Sequence, residues 1–109
     1  MTPEEYDRAA RYWTSRDATG TRLPREDALA RIDAFLSTHT TCALATGDGT
    51  FVRCTPLEYA WHDGRIWVLS EGGLKFRGLA HNAHVCLAVF DPYTTRGQTH
   101  GLQVMGTAT

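Results

Sequence analysis

Ser70-Glu71-Gly72-Gly73-Leu74-Lys75 is the stretch that decides the fold, because it stands where a strand pattern gives way to a helix pattern. A strand-like run over residues 65–69 precedes it, and a short helical run over 74–82 follows it. The glycines let the backbone approach a ligand closely, and the first turn of a helix presents unpaired N–H groups. With the lysine charge added, the stretch predicts a phosphate site; a plain glycine turn with a solvated lysine is the alternative.

The composition bounds the class of protein. The 109 residues are enough for one domain, in which we expect residues 1–24 to form an N-terminal helix and loop and 25–109 to form the core. A net charge of −1 gives no reason to expect nucleic acid as a partner. No apolar run approaches the length of a membrane span and the N-terminus lacks an apolar signal segment, so we predict no membrane partner and a cytoplasmic protein.

Helical patterns fill the N-terminal third of the chain. Thr2 and Glu5 have the spacing of a capping box, which predicts a helix start. The stripe that follows is expected to pack on the core or on a second copy of the chain; its residues are Tyr6, Ala9, Ala10 and Trp13. Residues 17–24 are predicted to be a loop, and 27–39 a second helix.

Extended patterns follow, and they predict a mainly β, α+β domain. We expect five strands, over residues 41–46, 51–61, 65–69, 85–90 and 102–109. Pro56 within the second strand predicts an edge position, a bulge or a kink. Asp63-Gly64 predicts a hairpin, and a polar loop is expected around Gly97. An antiparallel meander of this kind usually closes into a small barrel, with the short helix inserted between strands three and four.

Cysteine and histidine residues offer few candidates for chemistry. Cys42, Cys54 and Cys86 are odd in number and widely spaced, so we expect reduced thiols that pack as small core residues. His81 and His84 have a spacing that suits a metal on one helix face, but no carboxylate stands nearby, and no metal is predicted. The remaining histidines are expected to be solvated; they are His39, His62 and His100.

Taken in order, these pieces resemble the split-barrel flavin-binding family related to pyridoxamine 5′-phosphate oxidase. The likeness runs over residues 32–108 and is nearer to small bacterial members, including nitroimidazole-resistance-like reductases, than to the oxidase itself. The matching pieces are Phe35-Leu36, Cys42-Ala43-Leu44-Ala45-Thr46, Arg53-Cys54-Thr55-Pro56-Leu57, Ile66-Trp67-Val68-Leu69-Ser70-Glu71-Gly72-Gly73, Lys75-Phe76-Arg77-Gly78-Leu79, residues 82–89 and Gly106-Thr107-Ala108.

The resemblance implies a six-stranded antiparallel split barrel that forms a homodimer with FMN at the subunit interface. It implies that Lys75 and Arg53 face the FMN phosphate, a role that suits a point charge and a guanidinium fork. The other cofactor-binding positions that it implies are Cys54, Thr55, Leu69, Ser70, Gly73 and Leu74.

Three departures shape the functional prediction. Glu58 stands where the oxidase has a lysine, the oxidase's substrate-binding arginine and histidine have no counterpart, and the chain is expected to lack the last family strand because Thr109 ends it within a strand. We therefore predict an FMN-dependent oxidoreductase of a small molecule rather than pyridoxamine 5′-phosphate oxidation, with no catalytic side chain assigned. The alternatives are a non-catalytic flavin, deazaflavin or haem carrier, with His84 or His100 as the haem ligand, and a dimeric barrel that binds nothing.

Overall fold

The computed structural model describes residues 1–20, 22–70, 72–92 and 100–109, with the backbone alone at residue 17. Glu71 and the loop predicted around Gly97 lie outside the described residues. The helices are α1 (Pro3–Thr19), α2 (Arg25–Ser37) and α3 (Lys75–His81). The strands are β1 (Thr41–Gly47), β2 (Val52–Glu58), β3 (Ala60–His62), β4 (Arg65–Trp67), β5 (His84–Phe90) and β6 (Gly101–Thr107).

Helix α1 begins with the predicted capping box. The backbone N–H of Thr2 donates to Glu5 Oε2 at 2.6 Å, and the N–H of Glu5 donates to Thr2 Oγ1 at 3.2 Å. The helix runs on to Thr19, into the predicted loop, because no glycine or proline interrupts it before residue 20. The side chains of Tyr6 and Trp13 are exposed, so the stripe does not pack on the sheets; cover by a second copy stays a prediction. Over the described ranges, we find no helix long and apolar enough to span a bilayer.

The strands form two antiparallel sheets around one core, which is the split-barrel arrangement that the sequence predicts. The larger sheet has the order β2-β1-β5-β6, and β3 and β4 pair with each other in the smaller one. Pro56 lies on β2, at the edge of the larger sheet, as predicted, since an edge strand tolerates a residue without an N–H group. The short helix joins β4 to β5 and packs on β1 and β2.

The second predicted strand, 51–61, is wrong in one respect: it is two strands in different sheets. The division falls at Tyr59, whose N–H donates to the Thr40 carbonyl at 2.9 Å. The Tyr59 hydroxyl is buried and donates to the Leu36 carbonyl at 2.8 Å, near the end of α2. Carbonyls in the last turn of a helix lack a partner within the helix, and the Tyr59 hydroxyl supplies one for Leu36. This bond fixes α2 on the barrel and accounts for the break in the strand at Tyr59.

The hairpin predicted at Asp63-Gly64 is confirmed. Both residues have positive φ, 56° and 70°, which is the conformation of the two-residue turn that matches strand twist. The predicted third strand, residues 65–69, corresponds to β4. It is shorter than expected, since β4 ends at Trp67. The chain then continues without regular structure to Ser70, just before the strand-to-helix stretch.

The core lies on one face of the larger sheet, where alternate residues of each strand point inward. Its buried members are Leu36, Cys42, Leu44, Tyr59, Leu87 and Val89. Helix α3 covers the end of β1, where a Cβ added at Gly78 would meet Thr46 Oγ1 and the Gly47 nitrogen, each at 3.4 Å. The glycine that weakens this helix in isolation therefore allows it to lie close to the sheet.

Candidate functional site

The turn before α3 has the backbone conformation that the sequence predicts. Gly72 and Gly73 have φ values of 124° and 117°, which a residue with a Cβ rarely adopts. The Ser70 hydroxyl donates to the Gly72 carbonyl at 3.3 Å, and the Lys75 ammonium donates to the same oxygen. The turn thus folds back on the lysine and fixes where its positive charge lies.

Helix α3 begins one residue later than predicted, at Lys75, with Leu74 as its N-cap. The N–H groups of Phe76 and Arg77 donate to the carbonyls of Gly73 and Leu74 at 3.2 and 3.1 Å. Two donors expected to be free for an anion are therefore used within the turn. The anion-binding capacity of this segment consequently rests on the lysine side chain more than on the helix end.

Lys75 is buried at 6% exposure and lies on the wall of a cavity of about 870 Å³. The cavity lies between the two sheets, and Ser70 also lines it. Of the predicted cofactor-binding residues, the structure brings these two together on the cavity, with Gly73 beside the lysine: a Cβ at Gly73 would be 3.4 Å from Lys75 Nζ. Leu69 and Leu74 do not line the cavity and are exposed.

The strand-two candidates lie on β2, outside the cavity wall. Arg53 pairs with Thr46 of β1 and is exposed; because direct partners share a face, it borders the helix that covers Thr46. Thr55 is half-buried on the same face, whereas Cys54 points to the opposite one and is exposed. Arg53 and Lys75 are therefore two cations that border α3 from the sheet and from its first turn.

The cysteines divide in a way the sequence did not predict. Cys42 is a core residue as expected, and burial raises the pKa of its thiol, which favours the neutral form. Cys54 is exposed, so the expectation that it packs in the core is wrong; it faces away from the core because β2 alternates. Cys86 is half-buried on the same outer face, so the expectation that it packs in the core is also wrong.

A histidine–aspartate pair at the other end of the barrel was missed. His39, expected to be solvated, is half-buried and stacks on Phe35 with ring centroids 4.1 Å apart. Its Nε2 lies 2.6 Å from Asp91 Oδ1, and its Nδ1 lies 2.7 Å from the Phe35 carbonyl. His100 Nδ1 lies 3.6 Å from the other Asp91 oxygen. The sequence carried one signal for this pair: His39 is the last residue of the predicted second helix, and a protonated imidazole is stabilised at the C-terminus of a helix.

This pair predicts a pH-dependent stability. The hydrogen bond to Asp91 raises the pKa of His39, so the contribution of His39 is full below 6.5 and is lost as pH rises through the raised value. The bond to His39 lowers the pKa of Asp91, so the contribution of Asp91 is present above 3.8 and is lost as pH falls through the lowered value. We expect the melting temperature of Asp91→Asn to lie furthest below that of the parent near about pH 5. A gap that stays constant from acid to alkaline pH would contradict this.

The described residues contain no cluster of three or more histidine, cysteine, aspartate or glutamate side chains placed to hold a metal. His81 ends α3 and His84 begins β5, so the two do not share a helix face. The site therefore consists of a fixed ammonium, a glycine turn and an adjoining cavity, with Arg53 nearby on the sheet.

Fold and site together define an α+β protein on an antiparallel split barrel with a lysine at its strand-to-helix turn. Residues 28–109 match the pyridoxamine 5′-phosphate oxidase family, and the chain belongs to that family. No curated protein matches the sequence.

Two solved structures share the fold. A conserved hypothetical protein from Mycobacterium tuberculosis, Rv2991, aligns with a TM-score of 0.65 at 25% identity, over 79% of this chain and 52% of its own. An FAD-binding protein from Mesorhizobium loti aligns with a TM-score of 0.63 at 23% identity, over 72% of this chain and 56% of its own. The chain thus spans about half the length of the structures it matches.

Proposed function

We propose that this protein binds FMN beside the turn at Gly72 and Gly73 and acts as a flavin-dependent oxidoreductase of a small molecule. The observation that carries the proposal is the Lys75 ammonium, which this turn holds on a residue that lines a large cavity. Membership of the family supports it. The fold also accommodates a flavin elsewhere, since the Mesorhizobium loti protein that shares it is an FAD-binding protein.

The residues present fit the phosphate of FMN. A phosphate monoester carries close to two negative charges near neutral pH and accepts several hydrogen bonds. Lys75 supplies a point charge, and Arg53, which borders the same helix, supplies a guanidinium fork. Glu58, where the oxidase has a lysine, adds a negative charge to the same strand. For that reason we propose a reductase or related activity and not pyridoxamine 5′-phosphate oxidation.

FMN, when bound, supplies hydride and electron transfer, and the chain supplies binding and orientation. No acid or base of this chain is assigned to the reaction. The tasks of its residues are to neutralise the phosphate, through Lys75 and Arg53, and to present an apolar slot to the flavin ring. The small-molecule substrate would approach the exposed part of that slot.

We also propose that the protein is a homodimer joined through the outer face of the larger sheet. Small side chains in the middle of this face would let a second sheet approach closely, and three exposed apolar residues lie on the same face. The small residues are Ala43, Ala45, Cys86 and Ala88, and the exposed apolar ones are Val52, Phe90 and Met105. Cys54 lies exposed on the same face and would be part of the proposed interface.

The test is an FMN titration followed by visible absorption and gel filtration. We expect Lys75→Ala and Arg53→Ala each to weaken FMN binding about tenfold or more, because hydrogen bonds to charged groups contribute about 1.5–3 kcal/mol. Riboflavin lacks the phosphate, so it should bind the parent more weakly than FMN does. The two substitutions should leave the affinity for riboflavin unchanged. The elution volume of the loaded protein reports whether it is a dimer.

Arg31→Ala is the matched control, since Arg31 is exposed on α2 and its replacement removes the same charge away from α3. It should leave FMN affinity unchanged. Equal affinity for riboflavin and FMN in the parent, or FMN affinity that is indifferent to Lys75, would show that the phosphate site has been misplaced.

A further inference from the structure

Lys75 is the only lysine in the sequence, and it is almost completely buried. Lysine is normally among the most exposed residues, because an ammonium loses strong hydration when it leaves water. The chain uses arginine at its other cationic positions, most of which are exposed. A single compact charge has therefore been placed in the interior.

The cavity that Lys75 lines is large and mostly apolar. Its volume of about 870 Å³ lies within the range of small-molecule sites, which is about 300–1,000 Å³. Both sheets and two helices contribute to its wall, through Leu36, Leu44, Ile66, Leu79, Leu87 and Val104. An apolar volume of this size stabilises the protein when an apolar group fills it and excludes water from the wall.

The ammonium has few partners in the described structure. Lys75 Nζ donates to the Gly72 carbonyl. The ion pairs found among the described residues join Asp91 to His39 and to His100, and none of them includes Lys75. Its ring neighbour is Phe76, with the Nζ 5.2 Å from the ring centroid. A buried cation in such surroundings attracts an anion strongly, since the local dielectric is low.

We propose that the cavity binds a small amphipathic carboxylate, whose apolar body fills the space between the sheets and whose carboxylate pairs with Lys75. The carboxylate would sit at the turn, near the Ser70 hydroxyl, which also lines the cavity. Arg65 lines the same cavity from β4 but is exposed, so its charge is hydrated and contributes less. This site shares Lys75 with the proposed FMN phosphate site, so the two ligands would compete for one ammonium.

Decanoate is the probe, used well below the concentration at which it forms micelles. Trp61 and Trp67 line the cavity, so their fluorescence should change saturably with decanoate. Protein labelled with ¹³C-lysine reports on Lys75 alone, and its Cε signal should shift along the same binding curve. Decan-1-ol, which has the same chain without the charge, should bind at least about tenfold more weakly.

Two variants decide whether Lys75 anchors the ligand. Lys75→Met keeps the unbranched stem and removes the charge, and it should weaken decanoate binding about tenfold or more without weakening that of decan-1-ol. Arg65→Met removes the other cation on the wall and should change decanoate affinity less than about threefold. Equal binding of acid and alcohol to the parent, or an equal loss in both variants, would overturn the proposal.

The titration contains no flavin, so its result does not depend on the proposed function. If FMN fails to bind while decanoate shifts the Lys75 signal, the cavity site stands and the flavin proposal falls. If FMN binds through Lys75 but decanoate leaves the lysine signal unmoved at saturating concentration, the cavity proposal falls alone. The parent measurement remains decisive even if Lys75→Met does not fold.

Discussion

Replacing Leu36 with alanine is expected to lower the free energy of unfolding by about 2–5 kcal/mol, the usual cost of truncating a buried leucine. Leu36 is 2% exposed, in the last turn of α2, and it belongs to the core cluster that includes Leu44, Leu87 and Val89. Its carbonyl also accepts the Tyr59 hydroxyl. A domain of this size is stable by about 5–15 kcal/mol, so this loss is a large part of the total.

Urea unfolding followed by circular dichroism measures the effect. Leu69→Ala is the matched control, because it is the same chemical change at a side chain that is 95% exposed. We expect Leu69→Ala to stay within about 0.5 kcal/mol of the parent. Similar losses for the two variants would mean that α2 does not pack on the barrel as described.

The strand pattern could be predicted from the sequence because turn residues mark most of its ends. Gly47-Asp48-Gly49 and Asp63-Gly64 close the two hairpins where expected, and in the first of them the Asp48 carboxylate accepts the N–H groups of Thr50 and Phe51. Those bonds lower the pKa of Asp48. Such local chemistry is legible in a few consecutive residues, so it needs no knowledge of the rest of the fold.

The break at Tyr59 could not be predicted in this way, since its cause is distant in sequence. No glycine or proline stands at that point, and the apolar pattern continues across it. The strand leaves the sheet because Tyr59 is drawn into the core and bonded to α2, twenty-three residues earlier. The His39–Asp91 pair, fifty-two residues apart, was missed for the same reason.

The backbone turn at the candidate site could be predicted from the sequence, whereas the surroundings of Lys75 could not. The glycine turn and Lys75 lie together as predicted, because six consecutive residues carry them. Lys75 is buried beside a cavity because the two sheets and α3 pack around it. That packing joins residues that are distant in sequence, so a local sequence pattern does not predict it. The sequence therefore placed Lys75 at the start of a helix, but it did not show that Lys75 also lines the cavity between the sheets.

The second large effect is expected at this turn. Gly73→Ala should destabilise the protein by about 1–3 kcal/mol, because a φ of 117° is open to glycine and costly for any residue with a Cβ. The new methyl group would also meet Lys75 Nζ at 3.4 Å. Relief of the strain would rotate the turn, so the Gly72 carbonyl would no longer hold the ammonium in place.

Gly106→Ala separates this strain from the mere addition of a methyl group. Gly106 lies in β6, its φ is not positive, and no described atom outside its chain neighbours comes within 4 Å of an added Cβ. There the alanine should leave stability unchanged or raise it by up to about 1 kcal/mol, since glycine weakens a strand. Urea unfolding of both variants gives the comparison, and the ¹³C-lysine signal reports whether Lys75 has moved. The outcome against this prediction is that Gly73→Ala matches Gly106→Ala in stability and leaves the lysine signal in place. In that case the turn at Gly72 and Gly73 does not fix the position of the Lys75 ammonium.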